Sequence, residues 1–339
     1  MVTTKAASAK GGRRGAEKGR LLSVFGAINW DISLFEDRFA RPGEEMQVRR
    51  VEEFSGGKGG NVAVAAARIL GPGRAAFIGA LGDDSICDHQ LSELRSEGVV
   101  VDGVIRMKGA QSGRAYILID REGRKTIHTH FGANEKVTPE ALRKGASKVI
   151  ADSEAVVVMD PPTPAAAAAA ALARKSGAKV LYSPGVRTQE GVKTLEGVLK
   201  NSDYLVLDRI ELMNLYRAGD EAEAVAIVRE RHPQLSVVAT LGPEGCMVAS
   251  AGSVSRASGF EASELDLSVQ NTTGCGDAFL GVFASYLMMG YSPLDSANWA
   301  NLAGAVKATK VETRGSPRRS ELEEAMKLVD RRRRKTLGV

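Results

Sequence analysis

Residues 155–182 read AVVVMDPPTPAAAAAAALARKSGAKVLY. Ala155–Met159 is a short, uniformly apolar run of strand formers, the pattern of a strand covered on both faces. The next segment, 163–176, has helix signals at its start. Thr163 is placed to cap it, and Pro164 fits the first helical position. The alanines Ala165–Ala171 carry the highest intrinsic helix propensity. Lys179–Tyr182 is apolar again and reads as the next strand. Strand, helix and strand in so short a span imply a parallel sheet with helices laid on it.

The same alternation extends in both directions. Leu21–Ile28 reads as the first core strand, Asn61–Leu70 as a helix stopped by Gly71-Pro72, and Ala75–Gly79 as a buried strand. Ser85–Glu97 is amphipathic, with Ile86, Leu91 and Leu94 on one side and Gly98 behind it. A helix over 138–149 precedes the quoted unit. After it come strand Tyr204–Leu207, helix 220–231, strands Val237–Thr240 and Met247–Ala249, and helices 278–289, 294–309 and 318–330. Continuous Val/Ile/Leu strands between helices describe an α/β protein whose mostly parallel sheet is covered on both faces. Residues 32–55 and 103–131 break the alternation. Within the second stretch, Tyr116–Ile119 and Lys125–Phe131 flank a turn at Glu122-Gly123, a hairpin signal. The two stretches are expected to combine into a small second sheet. No repeat of solenoid period is visible.

The chain has 339 residues, 43% hydrophobic and 26% charged, which excludes a wholly disordered, collagenous or membrane protein. The net charge of +5 suggests a polyanion partner until it is divided along the chain. Residues 1–20 carry Lys5, Lys10, Arg13, Arg14, Lys18 and Arg20 against one acid, Glu17, and the C-terminus carries Arg331–Lys335. Without these ends, 35 basic and 40 acidic residues remain of the total 46 and 41, so the body 21–330 is near −5. Basic ends on an acidic body argue against a nucleic-acid groove. The expected organisation is a disordered basic tail at 1–20, one domain at 21–330 and a basic tail at 331–339. Cys87, Cys246 and Cys275 are scattered, which fits a reducing, cytoplasmic setting. The longest apolar helical stretch, about Ala278–Met289, is well short of the ~20 residues of a membrane span.

Two glycine-rich segments open helices. The first is Asn271-Thr272-Thr273-Gly274-Cys275-Gly276-Asp277. Glycines at a helix start let a ligand approach the backbone, and the unpaired N–H groups favour an anion. A carboxylate at that position can take a proton from a hydroxyl while the amides hold a phosphoryl group. An aspartate cap on a tightly packed helix explains the same residues equally well. The second segment is Ser55-Gly56-Gly57-Lys58-Gly59-Gly60-Asn61. Taken alone it reads first as a flexible hairpin loop, and it matches neither a Walker A loop nor a dinucleotide fingerprint.

Together, in this order and spacing, the two segments closely resemble the two signatures of the ribokinase/phosphofructokinase-B family of carbohydrate kinases. Gly132-Ala133-Asn134 resembles a further ribokinase element, and the likeness covers roughly residues 21–316. The resemblance implies a doubly wound α/β domain with a β-sheet lid, from about 32–55 and 103–131, that closes over the sugar. It implies Asp277 as catalytic base and Gly274, Cys275 and Gly276 as the anion hole. It places Asp31, Gly57, Lys58, Asn61 and Asp160 on the sugar. Thr240, Gly242, Gly245 and Asn301 fall on the nucleotide, together with Asp208, which stands where the family has Asn. Glu211 is implied to hold Mg²⁺ through water, with ATP as donor and ADP as the alternative. Asn271 and Thr273 fall on the family's monovalent-cation site. Asn271 replaces the usual Asp there, which leaves potassium activation open.

The expected activity is therefore transfer of phosphate from ATP to a sugar hydroxymethyl group, with ribose as the first acceptor. A nucleoside kinase would use Trp30 and Phe131 as walls for a base, and a phosphosugar kinase would use Arg106 or Arg114 for a second phosphate. An inactive nucleotide or sugar sensor is the reading from a different class, and retention of Asp277 and Glu211 speaks against it. Lids of this kind could pair into a homodimer. His128 and His130 share one strand face without a third metal ligand, so a solvated or substrate-facing strand is expected there.

Overall fold

A computed structural model describes residues 21–250 and 252–337, with side chains through residue 333. The expected tail at 1–20 lies outside the described residues. Strand β1 (Leu22–Gly26) starts a central sheet. β2 (Asn29–Phe35) and β3 (Arg50–Gly56) belong to a second sheet. α1 (Lys58–Leu70), β4 (Ala75–Leu81), α2 (Ser85–Ser96) and β5 (Val99–Arg106) return to the first. β6 (Gly113–Ile119) and β7 (Lys125–His130) complete the second. The alternation then runs α3 (Pro139–Ala151), β8 (Ala155–Met159), α4 (Thr163–Lys175), β9 (Lys179–Ser183), α5 (Gly191–Leu199), β10 (Tyr204–Asp208), α6 (Arg209–Tyr216), α7 (Glu221–Arg231) and β11 (Ser236–Thr240). It closes with β12 (Gly245–Ser250), β13 (Ser253–Ser258), α8 (Cys275–Met288), α9 (Pro293–Ala308) and α10 (Arg319–Leu337).

The central sheet has the order β13-β12-β11-β10-β9-β8-β1-β4-β5. Only β12 and β13 run antiparallel to their neighbours. Alternate residues of one strand feed opposite layers. Val24, Val157, Leu181 and Val206 pack with α1, α8 and α9. Phe25, Val156, Val158 and Leu205 pack with the helices of the other face. In α4 the buried residues Ala165, Ala166, Ala169, Ala170 and Ala173 form one small-residue stripe, so this helix can lie close against the sheet. β1 pairs with β4 on one side and β8 on the other, so chain order reverses there. A crevice at the carboxyl ends of the strands is expected at such a switch point.

The second sheet has the order β3-β2-β6-β7. β2 and β6 are parallel, and the other pairings are antiparallel. It uses the two irregular stretches of the sequence with shifted boundaries: β2 already starts at Asn29, β3 ends at Gly56, and residues 103–106 end β5 in the central sheet. Helix α10 likewise runs through residues 331–337, read from sequence as tail. Arg333 bonds Glu264 there at 2.8 Å, and Arg332 pairs with Asp266. Thr163 is not the cap of α4. Pro162 holds that position, and the Thr163 hydroxyl donates to Glu190 Oε2 at 2.7 Å. Helices α5 and α6 escaped the sequence reading because both are short and α5 contains Gly191 and Gly197.

α1 and α8 cross where Gly281 meets α1. A Cβ at Gly281 would lie 2.6 Å from Ala65 Cβ and 2.7 Å from the Val62 carbonyl oxygen. Only a missing side chain allows this approach, and it brings the two glycine-rich helix starts together.

Candidate active site

At the start of α8, Gly274 is the N-cap residue with φ +88°, and no side chain caps the helix. A Cβ on Gly274 would lie 2.2 Å from the Thr313 carbonyl oxygen. Cys275 N donates to the Thr272 carbonyl at 3.2 Å, which leaves the Gly276 and Asp277 amides of the first turn for a ligand, and an added Cβ on Gly276 would meet nothing within 4 Å. Cys275 stands between them, and burial pushes its thiol pKa up, so it acts as a small neutral side chain. Asp277, in the first turn, is buried and accepts a hydrogen bond from Asn61 Nδ2 at 2.8 Å. Burial pushes the Asp277 carboxyl up to about 6, against the opposing pull of Asn61 and Lys58. A carboxyl tuned into this range can act as a proton acceptor near neutral pH.

Asn61 is fixed from its other end. Arg314 Nε donates to Asn61 Oδ1 at 3.3 Å, and Arg314 Nη2 donates to the Gly56 carbonyl at 2.9 Å. Arg314 was not singled out in the sequence, although an arginine inside the loop Thr313–Gly315 was its only signal. Asp31 projects from β2 into the same region. Burial raises its carboxyl to about 7, with Arg314 lowering it and Asp277 raising it further. Gly57 caps α1, and Lys58 Nζ pairs with Asp160 Oδ2 at 3.1 Å. Burial disfavours the Lys58 ammonium, but the neighbouring Asp160 carboxylate outweighs it and holds the pKa above the usual lysine value. Asp160 leaves the end of β8 with φ +45°, a conformation costly for any residue but glycine and retained here beside Lys58. It lines the pocket together with Phe131 and Arg187.

The other side of Asp277 is different in character. A cavity of about 160 Å³ runs past Lys58, Ser183, Asp208, Glu211 and Asp277. It shares Thr240, Gly276 and Phe279 with a second cavity of about 540 Å³. The larger cavity is walled by Gly242, Gly245, Phe260, Cys275, Asn301 and Ala305. Asn301 Nδ2 is committed to the Ala257 and Ser258 carbonyls at 3.1 and 3.2 Å, so it serves as a structural wall. Phe260 was not anticipated from the sequence. Asp208 and Glu211 close a capping box on α6: Asp208 Oδ1 accepts from Glu211 N at 2.7 Å, and Glu211 Oε2 accepts from Asp208 N at 3.1 Å. The Asp208 charge is thereby satisfied by the helix start.

Lid register separates residues that face the site from those that do not. Asp31 pairs with Ala115, and Ile119 with Lys125, on one face. Lys125 Nζ reaches Thr273 Oγ1 at 2.7 Å, so the lid touches the loop before α8. Trp30, Arg114, His128 and His130 lie on the opposite face. Trp30 stacks edge-on with His89 and bonds Glu53 at 2.5 Å. Arg114 bonds Gln111 at 3.1 Å, and Arg106 pairs with Asp88. None of these is brought to the pocket, whereas Phe131 lines it beside Asp160. Asn134 staples the root of the lid, donating to the Ile28 carbonyl and accepting from Ile28 N, both at 3.0 Å.

A nucleotide-sized cavity meeting a polar pocket at one buried carboxylate is the layout of a small-molecule kinase. Residues 20–319 match the family described as pfkB family carbohydrate kinase. The chain is 27% identical over 293 residues to a ribokinase of Staphylococcus aureus (strain COL), covering 85% of this chain and 93% of that one. It is 29% identical over 304 residues to an ATP-dependent ribose-1-phosphate kinase of Halopiger xanaduensis, covering 88% and 95%. The solved structure of ribokinase from Thermotoga maritima superposes with a TM-score of 0.80 at 25% identity, covering 91% and 99%. The chain belongs to the pfkB family of carbohydrate kinases. It is an ATP-dependent phosphotransferase of the ribokinase type, acting on a sugar hydroxyl. Among the described residues no helix is long and apolar enough to cross a membrane.

Proposed function

We propose that this kinase phosphorylates the hydroxymethyl group of ribose, with Asp277 as general base. The bond from Asn61 Nδ2 to Asp277 at 2.8 Å carries the reading, because it aims one carboxylate oxygen and leaves the other for the acceptor hydroxyl. Asp277 takes the hydroxyl proton as the oxygen attacks the γ-phosphorus. The bond from that phosphorus to the β–γ bridging oxygen breaks, and ADP leaves. The Gly274 and Gly276 amides hold charge on the transferred group, whereas the Cys275 N–H, expected to join them, is taken by the Thr272 carbonyl at 3.2 Å. Asp31, Gly57, Lys58, Asn61 and Asp160 orient the sugar, and lid closure excludes water. Thr240, Gly242, Gly245 and Asn301 line the nucleotide side, with Asp208 at its edge.

Mg²⁺ fits the donor set. Among the described residues no three His, Cys, Asp or Glu side chains gather into a protein-only metal site. Glu211, in the cavity beside Asp277, is the carboxylate that would hold the ion through water, with substrate phosphates supplying the rest. When bound, the ion neutralises phosphate charge.

Ribose-1-phosphate or a related phosphorylated pentose is the second reading. It is favoured by Arg187, which lines the Asp160 pocket but is paired there with Glu135 and, at 3.2 Å, with Glu190. A screen of sugars, sugar phosphates and nucleosides, each with ATP and with ADP, decides between them. Ribose with ATP is expected to give the highest kcat/KM. A preference for a nucleoside, a phosphorylated pentose or ADP overturns the assignment. The free cysteines Cys87, Cys246 and Cys275 fit a cytoplasmic setting. Val51 and Tyr116, exposed on one lid face, support pairing of two lids, which light scattering of the purified chain would detect.

A further inference from the structure

Lys307 lies on α9 in line with Ala300 and Ala303, on the stripe that faces the core. It is 0% exposed. An ammonium at such a position is costly unless polar groups replace its water. Here main-chain carbonyls do so. Nζ donates to the Asn271 carbonyl at 2.8 Å and to the Lys310 carbonyl at 3.4 Å. Converging main-chain carbonyls are also how proteins hold a dehydrated monovalent cation. One carbonyl comes from the loop before α8 and the other from the turn after α9, so the ammonium ties the two together. Its stem passes under the start of α8, where a Cβ on Gly274 would come within 3.3 Å of Lys307 Cε.

The neutral side chain at 271 fits this arrangement. Asn271 Oδ1 accepts from Thr273 N at 2.9 Å, while Nδ2 donates to the Val311 carbonyl at 2.8 Å. An aspartate could make the first bond but not the second, since its oxygen would face another acceptor. Burial pushes the Lys307 pKa down. Cys275, Glu312 and Asp277 favour its charge, and Lys125 opposes it.

We infer that Lys307 is a built-in monovalent cation: its ammonium braces residues 271–274 behind the anion hole, and this kinase needs no potassium or sodium there. Lys307 is a positioning residue, acting on the phosphoryl group through the loop and the Gly274–Asp277 turn.

The test compares full-length wild type with Lys307→Ala in potassium, ammonium and choline chloride at equal ionic strength. Melting temperature is read alongside turnover, so the result stands even if ribose is not the acceptor. Wild type is expected to melt and turn over alike in all three salts. Lys307→Ala is expected to lose on the order of tenfold or more in kcat in choline, with acceptor KM nearly unchanged. Potassium or ammonium should then raise both its melting temperature and its kcat. Cation-specific activation or stabilisation of wild type overturns the inference, as does a folded Lys307→Ala that is fully active in choline or that no cation rescues. If Lys307→Ala does not fold in any salt, the wild-type comparison alone decides.

Discussion

The starts of α1 and α8 are built alike and charged oppositely. Each is capped by a glycine at positive φ without a side-chain cap, and they meet through the Gly281 crossing. α1 presents Lys58 at its start, whereas α8 presents Asp277 in its first turn. The positive end of a helix opposes a lysine and favours an aspartate, by about 0.3–1 kcal/mol at exposed positions. Lys58 accordingly requires a full carboxylate partner, Asp160, while Asp277 is held by the neutral amide of Asn61. Yet the Asp277 pKa still rises from 3.8 to about 6, so burial outweighs the helix and the amide together. Burial therefore sets the chemistry of the aspartate, and pairing sets that of the lysine.

Asp277→Asn tests this difference most severely. Turnover is expected to fall by roughly a thousandfold or more, because the base is lost while the Asn61 contact can persist. Stability should move the other way. A carboxyl whose pKa is raised on folding contributes stability in full below its unfolded value, and that contribution is lost as pH rises through about 6. At pH near 8 the variant should thus be more stable than wild type by on the order of 1–3 kcal/mol in urea melts. The wild-type kcat/KM should fall as pH drops below about 6, as Asp277 takes up its proton.

Lys58→Met addresses the other helix. Acceptor KM should rise about tenfold to a hundredfold, and stability should drop by ~1–3 kcal/mol because Asp160 is left buried without a partner. Adding Asp160→Asn should return most of the stability and none of the acceptor affinity. Recovery of both would reduce the pair to a structural role. The smallest effect on chemistry belongs to the crossing itself. Gly281→Ala should cost roughly 1–3 kcal/mol by forcing α1 and α8 apart. Because the Asn61–Asp277 bond spans that crossing, kcat should decline modestly while nucleotide KM holds.

Much of this arrangement was legible from local pattern. Ala155–Met159 declares a strand buried on both sides, and its residues do alternate between the two cores. The two glycine segments mark helix starts, and Asp277 and Lys58 stand in them as their spacing suggests. Other residues were misread or passed over because their partners are remote. Trp30 and Asp31 are adjacent in sequence, but strand alternation sends Asp31 to the pocket and Trp30 to the far face. Arg314 bonds a glycine 258 positions away, which no local pattern encodes. Lys307 sits on an apolar stripe, a signal visible in sequence, but its carbonyl partners are not.

The sequence by itself determined most of the alternation of strands and helices, though not α5, α6 or β13, together with the two glycine-rich helix starts and the acidic body between basic ends. These depend on side-chain periodicity, backbone freedom and charge, which act over a few residues. The tertiary structure alone decided which ionisable groups became chemically unusual. Asp31, Asp277, Lys307 and Arg314 are perturbed by burial and by partners supplied across the sheet switch point and the α1–α8 crossing. A pKa depends on the water excluded and the charges gathered around a group, and both exist only once distant segments have packed.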